Sequence, residues 1–250
     1  MNETDELSGV NELNMANEIE KFTKNKRMED SKIAIIFDFD GTISDSLGNL
    51  HEFFKHSSRL FNKTYPHITK NELKQNFLEP FTELYLSFGF NWNDESDILT
   101  KEFEAFMIKK HAPIFEGIPK LLADLSKISK VGIATDSRIK IIEERIDNYN
   151  IGSFISAYSA AEEVGKFKPS PEVIVLCMKK LESTPENTFY VGDQTCDIDA
   201  ARRAGCKVIS VAWGFISREK LAEKNPDFIV ETPEEILKIV EDEMKSKRDA

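Results

Sequence analysis

The sequence predicts an α/β protein: a parallel sheet with helices on both faces, plus a helical subdomain inserted after the first strand. Three observations carry this expectation. Ile33 to Phe37 is apolar at every position rather than at every second one, as in a central strand covered on both faces. Further short apolar runs alternate with helical patterns along the rest of the chain. Finally, about ninety residues separate the first strand from the second, far more than an ordinary strand-helix-strand connection uses.

In chain order, residues 1–30 are rich in Asn, Glu and Lys and carry only a sparse apolar stripe (Leu7, Val10, Met15, Ile19, Phe22), which predicts a polar N-terminal extension. A strand at 32–37 opens the core, whose first piece is 31–45. The insert spans 46–114 and reads as helical, with apolar positions at Leu50, Phe53, Phe54, Leu60 and Phe61, a capping box at Thr69 to Glu72, and a second stripe from Ile98 to Met107. The core resumes at 115–245. Gly117-Ile-Pro opens the returning helix, and strands follow near 131–135, 154–159, 188–192, 207–212 and 227–230. Between them, Ser170-Pro171 and Thr232-Pro-Glu-Glu235 read as helix starts with proline at the first helical position, and Gly205 reads as a helix stop.

Forty-four acidic residues against 33 basic ones leave a net charge of −11, which argues against broad binding to nucleic acid or to an anionic membrane. No apolar run approaches spanning length, and Met1-Asn-Glu-Thr-Asp-Glu6 has neither the basic nor the apolar region of a signal peptide. Cys177, Cys196 and Cys206 form an odd set without metal-ligand spacing, so reduced thiols and a cytoplasmic location are expected.

Polar clusters follow four of the predicted strands: Asp38 and Asp40; Thr135-Asp136-Ser137; Lys166 and Lys168; and Gly192-Asp193-Gln-Thr-Cys-Asp197. In a parallel sheet these strand ends share one edge, where ligands bind. Each pair of carboxylates brought within about 4 Å repels by ~4 kcal/mol at an effective dielectric of 20. Gathering Asp38, Asp40, Asp193 and Asp197 therefore calls for a cation, and an all-oxygen set suits Mg²⁺ better than Zn²⁺. The histidines, His51, His56, His67 and His111, all fall in or beside the insert, so imidazole catalysis in the core is not expected. What remains is carboxylate chemistry. One Asp attacks a phosphoryl group and a second moves protons, with Asp38 as nucleophile and Asp40 as acid and base. Thr135 can donate a hydrogen bond to phosphate, and a lysine at 166 or 168 can neutralise its growing charge.

Asp38-Phe-Asp-Gly-Thr42, Thr135, Lys168-Pro-Ser-Pro171 and Gly192-Asp193-Gln-Thr-Cys-Asp197 resemble, in order, the four motifs of the haloacid dehalogenase superfamily of phosphohydrolases. The resemblance covers essentially everything after residue 31. The insert resembles the helical cap of the subfamily containing phosphoglycolate phosphatases and β-phosphoglucomutases, and Val211-Ala-Trp-Gly-Phe215 with the segment after it is similar to the phosphoglycolate phosphatase branch. The resemblance implies a Rossmann-like core and a Mg²⁺-dependent phosphatase acting on a small phosphorylated metabolite through an aspartyl-phosphate. It implies Mg²⁺ held by the Asp38 carboxylate, the Asp40 carbonyl and Asp193, with Asp197 in support; Thr42 stabilising the catalytic loop; and Thr135 and Lys168 on the phosphate. Lys168 is preferred to Lys166 because it directly precedes Pro-Ser-Pro. Asp136 stands where the family often has Asn, which puts an extra negative charge near the phosphate unless the side chain turns away. Gln194 also departs from the small residue often found there.

Asp40 disfavours dehalogenase and phosphonatase chemistry, which lack that carboxylate. A β-phosphoglucomutase-like mutase is the alternative enzyme, and a non-catalytic phosphoacceptor the alternative outside enzymes. His51, Lys55 and Arg59 recur every four residues on the first predicted cap helix, a basic stripe that reads either as a solvated charged face or as a selector of a substrate anion. Whether the chain is a monomer or a homodimer is open at this level.

Overall fold

Alternate residues of the first strand enter two different apolar cores, which is why its sequence shows no polar face. The computed structural model describes residues 33–79 and 81–249, and the predicted extension 1–30 lies outside them. In β1 (Ala34–Phe37), Ala34 and Ile36 pack in a cluster with Val173, Ile174 and Ile198, while Ile35 and Phe37 pack in one with Leu121, Leu122, Ile142 and Ile236. Both faces are thus sealed by helices, and all four residues are fully buried.

The remaining strands are β2 (Lys130–Thr135), β3 (Ala157–Ala160), β4 (Thr188–Gly192), β5 (Lys207–Val211) and β6 (Phe228–Val230). They form one parallel sheet in the order β3-β2-β1-β4-β5-β6, a Rossmann-like arrangement whose strand order reverses beside β1. The crevice beyond the ends of β1 and β4 is where such a sheet takes its ligand.

Helices α1 (Leu47–Leu60), α2 (Lys70–Gln75), α3 (Phe81–Ser87) and α4 (Trp92–Lys109) occupy the predicted insert. Their apolar positions meet in an aromatic core, with Phe54 stacked on Phe88 at 4.2 Å and Phe53 edge-on to Phe103 at 5.1 Å. The predicted capping box forms at the start of α2: the Glu72 amide donates to the Thr69 hydroxyl and the Thr69 amide to the Glu72 carboxylate. The two connections to the sheet run side by side, the Asp45 amide donating to the Pro113 carbonyl at 2.8 Å.

The sheet is covered by α5 (Ile118–Ile128), α6 (Ile139–Asn148), α7 (Ala161–Val164), α8 (Glu172–Leu181), α9 (Thr195–Ala204), α10 (Arg218–Glu223) and α11 (Pro233–Asp249). Two local expectations are corrected. The third strand starts at Ala157 rather than 154, because Gly152–Phe154 closes a 3₁₀ turn first. Pro171 flanks α8 as its N-cap instead of occupying its first turn, and the Ser170 hydroxyl bonds the Glu172 carboxylate. None of the described helices is long and apolar enough to cross a membrane.

Candidate active site

Asp38 follows the last residue of β1, and its amide donates to the Val191 carbonyl at 2.8 Å, so the chain is still held by the sheet where the first carboxylate leaves it. Asp193 and Asp197 follow β4, the neighbouring strand. Carboxylate oxygens of Asp38, Asp193 and Asp197 lie within 4.8 Å of one another, and all three residues are buried. The side chain of Asp40 is not among them. This corrects the expectation that four carboxylates gather: Asp40 turns to Arg145, whose Nη1 donates to it at 2.6 Å, and to the Ser137 hydroxyl.

Lys168 supplies the positive charge inside the cluster. Its Nζ donates to Asp38 Oδ1 and Asp197 Oδ1, each at 2.7 Å, and to the Tyr190 hydroxyl at 3.2 Å. Tyr190 in turn donates to the Ala134 carbonyl at 2.9 Å, fixing its ring across the sheet. Lys166, two residues away, is 45% exposed and paired with Glu172, so only Lys168 reaches the strand ends. Asp136 does turn aside: its two oxygens accept the Lys168 amide at 3.1 and 3.3 Å, and the carboxylate positions the lysine backbone. Thr135 is buried at the end of β2 and its hydroxyl oxygen accepts the Ser137 amide at 3.1 Å, leaving its own hydrogen for another acceptor.

The second acidic motif is fastened by its own helix. Asp197, in the first turn of α9, accepts the amides of Asp193 at 3.1 Å and Gln194 at 2.9 Å on one oxygen while holding Lys168 on the other. Asp193 accepts the Phe215 amide at 2.6 Å and the Thr42 hydroxyl at 3.1 Å. Two glycines make room for it. A Cβ on Gly41, at φ +86°, would lie 2.3 Å from Asp193 Oδ2, and one on Gly214 would lie 2.2 Å from Asp193 Cβ.

These contacts set the charges. Burial pushes the Asp38 carboxyl up to about 7, with Asp197 adding to the rise and Lys168 opposing it. Burial, then Asp197 and Asp38, raise Asp193 well above the ordinary carboxylate range. Burial pulls the Lys168 ammonium down, but Asp197 and Asp38 more than reverse this. Burial also acts upward on Asp40, yet Arg145 and Ser137 bring it below the usual value. Asp136 is raised to about 6 by burial, against the pull of Lys168.

Among the described residues, the three carboxylates share one ammonium, Lys168, bonded to Asp38 and Asp197, so the cluster when fully ionised carries two more negative charges than positive ones, and burial resists that state until a cation balances it. The hard oxygen donors and that residual charge fit a divalent cation of the Mg²⁺ type. Sequence reasoning missed Arg145 and Tyr190, and placed Ser137 at the strand ends without giving it a role. A buried arginine needs a partner, but nothing local says that the partner of Arg145 lies 105 residues upstream. Of the predicted stripe on α1, His51 Nε2–H donates to the Ile68 carbonyl at 2.6 Å and its ring meets Tyr65 edge-on, contacts internal to the insert. Lys55 is half-buried and Arg59 exposed, and neither is bonded to Asp38, Asp193 or Asp197.

The insert touches the site through a different segment. Lys70 pairs with Asp45, Lys74 Nζ donates to the Trp213 carbonyl at 3.3 Å, and Phe77 packs on Phe215 at 5.2 Å. Glu79 accepts the Thr195 hydroxyl at 2.9 Å and the Cys196 amide at 3.2 Å.

A family model described as haloacid dehalogenase-like hydrolase matches residues 35–211. The pyrophosphatase PpaX of Oceanobacillus iheyensis is 28% identical over 214 residues, covering 83% of this chain and 96% of that protein. A predicted phosphoglycolate phosphatase from Haemophilus somnus superposes with a TM-score of 0.71 at 22% identity, over 85% of this chain and 99% of that one. CbbY from Rhodobacter sphaeroides, solved in complex with phosphate, gives a TM-score of 0.65 at 19% identity, over 81% of this chain and 95% of that one. The two structures share the fold.

Proposed function

The chain belongs to the haloacid dehalogenase-like hydrolases, and from that membership we propose that it is a Mg²⁺-dependent phosphomonoester hydrolase acting through an aspartyl-phosphate on Asp38. The observation that carries the proposal is the buried cluster of Asp38, Asp193 and Asp197 around Lys168, at the strand ends of the sheet. Asp38, Asp193 and the Asp40 carbonyl would hold the cation, with Asp197 in support. When bound, it supplies positive charge opposite the phosphoryl oxygens.

Asp38 attacks phosphorus and the bond to the leaving oxygen breaks, Asp40 giving that oxygen its proton. Water then attacks the acyl phosphate, Asp40 takes the water's proton, and phosphate leaves with Asp38 restored. The contacts of Asp40 with Arg145 and Ser137 favour its ionised form, the form needed in the second step, and oppose the protonated form that the first step uses. Thr135 and Lys168 bind the phosphoryl group. Lys168 also holds Asp38 in place beforehand, so the nucleophile is oriented before substrate arrives.

The substrate class is a small phosphorylated metabolite. The names of the relatives put pyrophosphate and 2-phosphoglycolate first among compounds to try, and both carry a second anion beside the phosphoryl group. A reducing, cytoplasmic setting is part of the same proposal. The test is phosphate release from p-nitrophenyl phosphate with Mg²⁺, with chelator, and by Asp38→Asn. We expect Mg²⁺ dependence and a loss on the order of 10³ or more in the variant. Undiminished activity in Asp38→Asn would refute the nucleophile, and isomerisation without net phosphate release would favour the mutase.

A further inference from the structure

We propose that Lys74, on α2, selects substrates that carry a second negative group beside the phosphoryl group being transferred. This rests on the phosphatase proposal above and adds which residue meets the remainder of the substrate.

The insert meets the core at more than one place: Glu104 pairs with Arg138 at one border, and at another residues 70–79 run from the Lys70–Asp45 ion pair to the bonds of Glu79 with Thr195 and Cys196. The carbonyl of Phe77 also accepts from Lys220 at 3.5 Å. This segment therefore borders the loops that carry Asp193 and that hold it, since Phe215 donates to Asp193 two residues after Trp213.

The cations of this border differ in what they already hold. Lys70 is neutralised by Asp45, with both carboxylate oxygens at 3.0 and 3.2 Å. Lys74 donates to a neutral carbonyl, that of Trp213, and has no carboxylate within 4.0 Å among the described residues. An ammonium has three donors and one carbonyl uses one of them. Lys74 is partly buried, and burial holds its ammonium below the usual lysine range against the pull of Asp193.

Of the charged groups that act on Lys74, Asp193 and Asp45 are acidic and Lys70 is already paired with Asp45, while Lys168 is committed to Asp38 and Asp197. A substrate with a neutral leaving group needs nothing further from this border. One with a carboxylate or second phosphate needs a counter-charge, and two lysines there are bonded only to carbonyls: Lys220, which is exposed, and Lys74, which is half-buried and bonds the Trp213 carbonyl in the loop that holds Asp193. In the stripe of His51, Lys55 and Arg59, His51 is spent on the Ile68 carbonyl.

The experiment compares kcat/KM for pyrophosphate and 2-phosphoglycolate with that for p-nitrophenyl phosphate in the wild type, Lys74→Met and Lys74→Arg. Losing a charge-assisted contact predicts that the selectivity ratio falls about 10- to 100-fold in Lys74→Met, mainly through KM. Lys74→Arg, which keeps the charge, should recover most of the ratio. An unchanged ratio in a folded Lys74→Met overturns the inference. Should Lys74→Met fail to fold, Lys74→Gln and the salt sensitivity of the wild-type ratio decide it: a ratio unmoved by either overturns it. A wild type that hydrolyses none of the three compounds would instead refute the phosphatase proposal itself.

Discussion

At the strand ends Lys168, Asp193 and Asp197 are each held several times over, whereas on the first helix of the insert the charged side chains are held once or stand in water. Lys168 donates to two carboxylates and a phenol, and Asp197 accepts an ammonium and two backbone amides. Arg59, by contrast, is exposed on the last turn of α1. The difference separates two tasks. Bond-making needs groups fixed within a fraction of an ångström, which buried strand ends with full hydrogen bonding supply. Choosing among substrates can be left to side chains on a separate element, where a change alters affinity without disturbing the nucleophile.

Replacing a well-held group should break the contrast most visibly. Lys168→Met leaves Asp38 and Asp197 buried without their counter-ion, and we expect about 3–5 kcal/mol of lost stability in urea unfolding at neutral pH. Phosphatase activity should be lost with it. Retained stability would mean that the cluster is wetter than its burial indicates.

The next effect concerns the cation. A ligand of the folded state at a hundredfold excess over its Kd adds about 2.7 kcal/mol. Saturating Mg²⁺ should therefore raise the Tm of the wild type by several degrees, and Asp193→Asn should abolish the rise. An equal rise in both would place the ion elsewhere.

Asp136 offers a smaller and pH-dependent change. Its carboxyl is raised to about 6 from 3.8, so the folded state binds the proton more tightly than the unfolded one. This group favours the fold below about pH 4, and that contribution is lost as the pH rises through 6. Asp136→Asn removes the dependence. It should gain roughly 1–2 kcal/mol above pH 6 and almost nothing below pH 4, less than the ~3 kcal/mol of the full shift because Asp136 keeps some access to water. A gain independent of pH would point to packing instead of charge.

The smallest change is expected on the insert: Arg59→Ala should alter KM for 2-phosphoglycolate less than about twofold, in the range of exposed charges. A tenfold rise would restore the basic stripe of α1 as the selecting surface and remove the contrast between it and Lys74.

What was legible in the sequence follows the same division. Asp38, Thr135, Lys168, Asp193 and Asp197 stand directly after apolar runs or within recognisable motifs, and in a parallel sheet strand ends must share an edge, so their meeting could be argued without coordinates. The partners that fix them could not. Arg145 reaches Asp40, and Tyr190 reaches Ala134, across separations that only the folded register determines. Asp136 looked like a misplaced charge until the Lys168 amide was seen to bond it. Lys74 is one of 33 basic residues, and nothing in the sequence around it sets it apart from Lys70, one helical turn earlier; the fold alone decides that Asp45 bonds Lys70.

The most direct measurement is to mix the enzyme briefly with substrate and Mg²⁺, quench it in acid, and locate the phosphoryl group by peptide mass spectrometry. The account predicts phosphate on the peptide containing Asp38, absent from Asp38→Asn and released by neutral hydroxylamine. Full turnover with Asp38 never phosphorylated, or with the label on another residue, would contradict it.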